Sequence, residues 1–596
     1  MTTTTDDTWG KERVAELRRR YGKEPRRPAR TVAGPPHRAP QASPAAPPRP
    51  DGTPGAQTAV LASDHQSEPA RAVSAQARAG QQLEQARWAA RAYGTYPADA
   101  VRRIVEAVAA AAAEHAQEFA ERAVAETGFG VVEHKVRKNL ACSVGLLEHY
   151  AGDDYVTPRV DDVRRIVEVP RPAGVVLALT PSTNPVATTY FKAILALMTR
   201  NAVIISPHPM AKGVCAEAAH VLARAAEVAG APAGIIQVVE EPTIPLVESL
   251  MADPRTNVVV ATGGTGVVRA AYSSGNPALG VGPGNVPVLV DATADIKSAA
   301  RAIVESKAFD NSVLCTNESV LIVEESVADE LLREMERAGA QLLTPDEVAQ
   351  LSAYMFPMGR LNTSVVGRDA AVIAADAGLR SSPGTKVLLA PFTDPVPEEM
   401  MTHEKLSPVL GVLRVPDAAR GVAAARSIIR IAGAGHSAAI HSTDPTTIME
   451  YGAKVPVLRI SVNVGNSTGS SGLDTHLAPT MTIGTGFIGR SSIGENLEPR
   501  HLLNWVRMAY DDAGASPMPD FTGLDPWRAR TGPVPAYPRA SNETASPSPG
   551  RAPDPSALVD RVAARAGLGA GSTDEAALRA EIRRLVAAEL SHQLKG

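Results

Sequence analysis

Short apolar runs alternate with longer stretches of helical spacing through the middle of this chain, and that alternation constrains the fold more than any other feature. Gly174–Leu179 reads GVVLAL, a buried strand, and a helix follows from about Ala187 to Met198. Ala202–Ile205 is the next strand, with a helix over Lys212 to Val228. Strands Ile235–Val239 and Val258–Ala261 flank a helix over Ile244–Met251. The rhythm resumes with strand Val286–Val290, helix Ile296–Ala308 and strand Ser319–Val323. Parallel strands need crossovers, and helical crossovers cover both faces of the sheet, so the expected class is α/β: a doubly wound parallel sheet followed by a second α/β unit.

The flanks differ in character. Residues from about 24 to 75 are too rich in proline for helix or strand and read as an extended linker. Ahead of it, Thr8 to Tyr21 places Val14, Leu17 and Tyr21 at helical spacing. A second Pro/Ser-rich linker is expected over 516–556. Beyond it, Ala557–Leu568 is a short helical candidate, and Ser572 with Glu575 forms a capping box. Leu578, Ile582, Leu585, Val586 and Leu590 then line one face of a helix that must find a partner surface. The formal net charge of −4 gives no reason to expect nucleic acid. The N-terminus is polar, without an apolar signal core, and no run approaches 18 apolar residues, so neither export nor a membrane partner is expected. Three cysteines without a CxxC pair make neither a disulfide framework nor a metal site and suit a reducing cytoplasm.

Three segments carry chemistry. Phe309–Glu318 (FDNSVLCTNE) sets Cys315 between a helix and an apolar strand. Taken alone, a lone cysteine there is more often a core residue. Leu179–Pro185 (LTPSTNP) follows the first strand and holds Asn184 between prolines on a strand-to-helix turn, at the sheet edge where ligands bind. Ala261–Gly266 (ATGGTG) again follows a strand and opens a helix, where Gly263 and Gly264 allow a phosphate to approach the helix N-terminus. It is not the GxGxxG fingerprint. Cys142 and Cys215 sit in helical apolar patterns and read as core.

In order and spacing these segments resemble the aldehyde dehydrogenase superfamily, and within it the CoA-acylating branch. That branch includes the aldehyde half of bifunctional alcohol/aldehyde dehydrogenases and the enzymes of bacterial microcompartments. The likeness runs from about Ala77 to Asp512 and includes TRNAVIISPHP (199–209), GVGPGN (280–285), HEKLSP (403–408) and GENLEPRHLLN (494–504). It implies a Rossmann-type cofactor domain, an α/β catalytic domain and small oligomerisation strands. The expected boundaries are 1–75 for the tail, 76–295 for N-terminal helices and cofactor domain, 296–465 for the catalytic domain and 466–515 for a return to the cofactor and oligomerisation region. The linker (516–556) and helical tail (557–596) complete the chain.

The resemblance also assigns roles. Cys315 is the nucleophile, attacking as thiolate. Asn184 donates to the oxyanion beside the Cys315 backbone N–H, a contribution of about 3–4 kcal/mol to the barrier. His436 either assists proton transfer, contacts coenzyme A or is structural, and His403 reads as structural. Cofactor contacts fall to Thr180, Pro181, Ser206, His208, Pro209, Gly263, Gly264, Gly282 and Glu404, the last holding the nicotinamide ribose. NAD is preferred, with NADP open, because Ser206 and Pro209 replace the lysine and glutamate that hydrolytic members place on the adenosine ribose. Hydrolytic members also carry a glutamate base where this chain has Val281. Without that base the thioester should wait for coenzyme A, already a good nucleophile near neutral pH.

The substrate side offers Val313, Leu314 and Thr316 and no cation, which leans towards acetaldehyde or propionaldehyde. A charged aldehyde, such as sulfoacetaldehyde or succinate semialdehyde, and an inactive scaffold are the competing readings. No alcohol dehydrogenase half follows, so alcohol formation is not expected. The tethered C-terminal helix resembles encapsulation peptides, implying a microcompartment shell or cargo partner within the cytoplasm, against the alternative of a helix folding back on the core. By resemblance the chain is a homo-oligomer.

Overall fold

The computed structural model describes residues 68–527, apart from 522. The helices expected over Thr8–Tyr21, Ala557–Leu568 and from Ser572 onward lie outside the described residues, as do most of both proline-rich segments. In chain order the strands are β1 Arg159–Asp161, β2 Ile166–Pro172, β3 Val175–Thr180, β4 Ala202–Pro207, β5 Ile236–Val238, β6 Val258–Thr262, β7 Ala278–Val281, β8 Val286–Val290, β9 Glu318–Glu324, β10 Ala340–Leu342, β11 Val387–Phe392, β12 Val409–Val415, β13 Ala438–His441, β14 Ile460–Val462 and β15 Leu503–Ala509.

The first half of the α/β rhythm closes into a parallel sheet of order β5-β4-β3-β6-β7. Its central strands are buried along their whole length, as continuous apolar runs between two helical layers must be. Helix Pro185–Met198 packs on this sheet and is buried from Pro185 to Leu197. Lys192 survives inside it because its ammonium donates to the carbonyls of Leu179 (2.6 Å) and Val260 (2.9 Å), while burial pulls its pKa well down.

The second half forms a seven-stranded parallel sheet of order β10-β11-β12-β9-β8-β13-β14. Here the expected division at 295 is corrected. β8 lies inside this sheet, paired with β9 and β13, so the chain changes sheet across the four residues between Val281 and Val286. A third, antiparallel sheet joins β1, β2 and β15, with β15 paired along β2 from Leu503↔Pro172 to Ala509↔Ile166.

Both linker boundaries move as well. Helix Glu68–Tyr93 begins inside the segment expected to be linker to 75; Pro69 is tolerated in its first turn, and Ala79, Leu83, Ala86, Ala90 and Tyr93 bury one face. The chain also remains on the body past 516. Trp527 lies over the Arg200 guanidinium at 4.2 Å and donates from Nε1 to the Val156 carbonyl at 3.0 Å.

The topology produces one meeting line. The loops after β3, β4 and β6 leave the carboxyl edge of the five-stranded sheet, whereas the segments entering β8, β9, β12 and β13 arrive at the amino edge of the seven-stranded one. The Val281–Val286 connection runs from one edge to the other.

Candidate active site

Cys315 is reached through an unusual turn. Helix Ile296–Ala308 ends, and Asp310, Asn311 and Ser312 then take φ of 51°, 51° and 62° in succession. Three left-handed residues in a row cost roughly 1–2 kcal/mol each, least for Asp and Asn. Side chains hold the turn in place. Asp310 Oδ1 accepts the Val131 N–H at 2.7 Å, and Asn311 Nδ2 donates to the Gly367 carbonyl (3.1 Å) and to Asp369 Oδ1 (3.0 Å). Past the turn, Leu314 N–H donates to Asn317 Oδ1 at 2.9 Å, and the Thr316 carbonyl accepts from Asn466 Nδ2 at 2.8 Å. Cys315 itself is half-buried. Burial first and the Glu404 carboxylate second push its thiol up to about 12, against its own backbone N–H and Arg459.

Gly284 brings the sheet-crossing connection against this segment. A Cβ there would stand 2.0 Å from the Cys315 carbonyl oxygen and 3.3 Å from Glu404 Oε1, so only glycine fits. Its N–H also bonds the Glu404 carboxylate, which burial pushes up to about 8 against that bond, Lys307 and Lys405. Val281, one strand-end away, is 3% exposed and apolar. His436 is buried, and burial with Arg459 nearby pulls its pKa down to about 3. Its Nδ1 lies 2.9 Å from Ser437 Oγ, which accepts from Asn466 Nδ2, the group that also holds the residue after Cys315. Among the described residues His436 Nε2 has no partner. His403 bonds the Pro397 carbonyl at 2.8 Å.

Across the line, Asn184 occupies the N-cap of helix Pro185–Met198. Its Nδ2 donates to Thr183 Oγ1 at 3.2 Å and its Oδ1 accepts from the Lys138 ammonium. Lys138 also bonds Asp310 Oδ2, which Lys135 reaches at 3.1 Å. Burial alone would push the Asp310 carboxyl up, but the two ammoniums hold it below its ordinary range. Lys135, Lys138 and Asp310 were not among the site residues expected from sequence. Two lysines at i, i+3 in the polar run VEHKVRKN, and the DN pair of a tight turn, are the only traces they leave there.

The remaining expected contacts divide by exposure. Gly264 caps helix Thr265–Ser273, and among the described residues a Cβ at Gly264 or Gly282 would meet nothing within 4 Å; at Gly263 it would meet only Val267 at 3.7 Å. These glycines form an open cradle at a helix N-terminus, a fit for a dinucleotide phosphate. His208 and Pro209 are exposed at the end of β4, and Pro181 is half-buried. Ser206 and Thr180 are buried, with the Thr180 hydroxyl 3.9 Å from the Cys215 sulfur. Cys142 and Cys215 are core residues, their thiols pushed up to about 12 by burial. Among the described residues no group of three His, Cys, Asp or Glu side chains is placed to hold a metal, and no helix is long and apolar enough to cross a membrane.

Comparison with known proteins places this geometry. Residues 59–474 match the profile of the aldehyde dehydrogenase family. The chain is 38% identical over 430 residues to the bifunctional aldehyde-alcohol dehydrogenase of Escherichia coli (strain K12), an alignment covering 71% of this chain and 48% of that one. It thus spans about half the length of that curated relative. It is 35% identical to the succinate-semialdehyde dehydrogenase (acetylating) of Clostridium kluyveri, covering 72% of this chain and 94% of the relative. The crystal structure of an acetylating aldehyde dehydrogenase from Geobacillus thermoglucosidasius superposes with a TM-score of 0.73 at 37% identity, over 74% of this chain and 98% of the other.

Proposed function

The chain belongs to the aldehyde dehydrogenase family, and from that premise we propose that it oxidises an aldehyde to an acyl-CoA on Cys315. One observation carries the choice of acyl transfer over hydrolysis. The position at which hydrolytic members carry their glutamate base is Val281, buried and apolar at the end of β7.

The residues act in sequence. Cys315 gives its proton to solvent and attacks as thiolate; a C–S bond forms to the aldehyde carbon as its C=O π bond opens, and the oxygen becomes an oxyanion between Asn184 Nδ2 and the Cys315 backbone N–H. A nicotinamide dinucleotide would be held at the open cradle of Gly263, Gly264 and Gly282, beside His208 and Pro209, with Glu404 on its ribose, and would supply the hydride acceptor. Cys315 then carries a thioester. The coenzyme A thiolate attacks its carbonyl carbon, the oxyanion forms again at the same donors, and Cys315 leaves as thiolate. Neutral His436, whose Nε2 has no partner among the described residues, offers a contact for the incoming coenzyme A; burial pulls its pKa down to about 3, which makes it a poor base for a thiol.

One observation favours a second reading. Glu404 lies near enough to act electrostatically on Cys315, and with its carboxyl pushed up to about 8 it has the character of a general base that takes a proton from water. Gly284, Lys307 and Lys405 hold it for ribose binding in the first reading. NADH formation from propionaldehyde separates the two. Strict dependence on coenzyme A, with propionyl-CoA as product, is expected; turnover to propionate without coenzyme A would overturn acyl transfer.

A short neutral aldehyde is the proposed substrate, since Val313 and Leu314 are buried apolar neighbours of Cys315. A homo-oligomer is supported by Val160, Val506 and Met508, apolar yet 38–42% exposed on the three-stranded sheet. Docking of the 557–596 segment to a microcompartment shell is a proposal from sequence, checked by deleting that segment and following shell association against retained activity.

A further inference from the structure

Helix Val132–Ala141 supplies nothing that the proposed chemistry uses, yet it directs two lysines into the site. Three residues apart, Lys135 and Lys138 leave the helix on one face and converge on Asp310 Oδ2. Their side chains are 4% and 1% exposed, and that of Asp310 is fully buried. Two buried ammoniums on one carboxylate leave an excess charge, a costly arrangement unless other acceptors share it. Both lysines find those acceptors on the same loop. Lys135 donates to the Thr183 carbonyl at 3.2 Å, and Lys138 donates to Asn184 Oδ1. One network thereby joins the turn five residues before Cys315 to the residue read as oxyanion donor.

The chemistry of the donor decides what this does. An ammonium offers hydrogens only, so the oxygen end of the Asn184 amide must face it. The amide nitrogen is turned the other way and gives one hydrogen to Thr183 Oγ1, and a primary amide has a second to offer. Without such a partner the amide has two orientations of similar energy, and in one of them it presents oxygen to oxygen.

We propose that Lys138 is a positioning residue: anchored on Asp310, it fixes the Asn184 amide with its N–H towards the oxyanion and ties the nucleophile turn to the oxyanion loop in one register. The inference rests on the reading of Asn184 as oxyanion donor. Lys135 still pairs with Asp310 when Lys138 is removed, so a Lys138→Met variant leaves no bare buried carboxylate.

The test is a double-mutant cycle in the full chain, with propionaldehyde, NAD and coenzyme A. Lys138→Met is expected to lower kcat about 100-fold, the scale of a lost oxyanion donor, with KM for propionaldehyde changed less than about threefold. Lys138→Arg should restore most of the loss. In an Asn184→Ala background Lys138→Met should cost no more than about twofold, because the amide it orients is gone. Equal losses in the two backgrounds, or a kcat unchanged by Lys138→Met alone, overturn the proposal. If Lys138→Met does not fold, Lys138→Leu, which also offers no donor, takes its place in the same cycle and is read by the same two outcomes. An Asn184→Ala variant with full kcat overturns the oxyanion reading itself, a result distinct from equal losses in the cycle.

Discussion

The two edges that meet in this protein are built to opposite standards. On the five-stranded side, Gly264 and Gly282 stand in open space and His208 and Pro209 are exposed. On the seven-stranded side, Cys315 is held by a left-handed turn, a buried carboxylate bearing two ammoniums, and a glycine with no room for a methyl group. Under the proposed function, the contrast teaches that an exchangeable ligand and a fixed nucleophile need different surroundings. A cofactor that enters and leaves needs backbone it can approach. A sulfur that must meet a carbonyl and an oxyanion donor in register needs its position fixed several times over.

The comparison breaks most easily at its centre. Cys315→Ala is expected to abolish aldehyde-dependent NADH formation, a loss of more than about 10⁴-fold, because no other described thiol is available: Cys142 and Cys215 are buried. Asn184→Ala should lower kcat by about 10²–10³-fold with little change in KM, measured under saturating cofactor. Gly284→Ala should follow at about 10²-fold, since its Cβ would displace the Cys315 carbonyl, and a shift near 1 Å at the nucleophile costs on that order.

A pH experiment sharpens the same contrast. The free-enzyme thiol is pushed up to about 12, so at neutral pH it is protonated and its thiolate fraction grows tenfold per unit. Carboxamidomethylation of Cys315 should therefore accelerate about tenfold per unit from pH 7 to 9, and a plateau within that range would show a thiol activated before cofactor binds. The smallest effect belongs to the open edge. Gly264→Ala should leave kcat within about twofold and raise KM for the dinucleotide by a few-fold, as its Cβ meets no atom of the described residues but enters the space proposed for the phosphate.

Much of the fold was legible because periodicity reports burial. The helices Lys212–Val228 and Ile296–Ala308 and the strand Val286–Val290 have the expected bounds, and the other expected strands of both sheets differ by a residue or two. The parallel α/β class follows from the same pattern. The linker limits did not emerge as cleanly, since proline density says nothing of Trp527 finding Arg200, or of alanines from 75 onward burying a helical face. Cys315 and Asn184 were visible as residue types at turn positions, and their roles came through resemblance to a family. Asp310 was in plain view beside Cys315, but its function depends on lysines more than 170 positions away.

Between residues 174 and 323 the sequence by itself determined most strands and helices, and it marked which short turns carry a thiol or an amide, because those properties are local and set by side-chain spacing. Only the tertiary structure decided that β8 belongs to the second sheet, that Gly284 closes on Cys315, and that the Lys138 ammonium meets the Asn184 amide oxygen. Those facts require pairing between residues remote in the chain, and strand order, close approach and buried charge pairing are settled by packing, which no local pattern encodes.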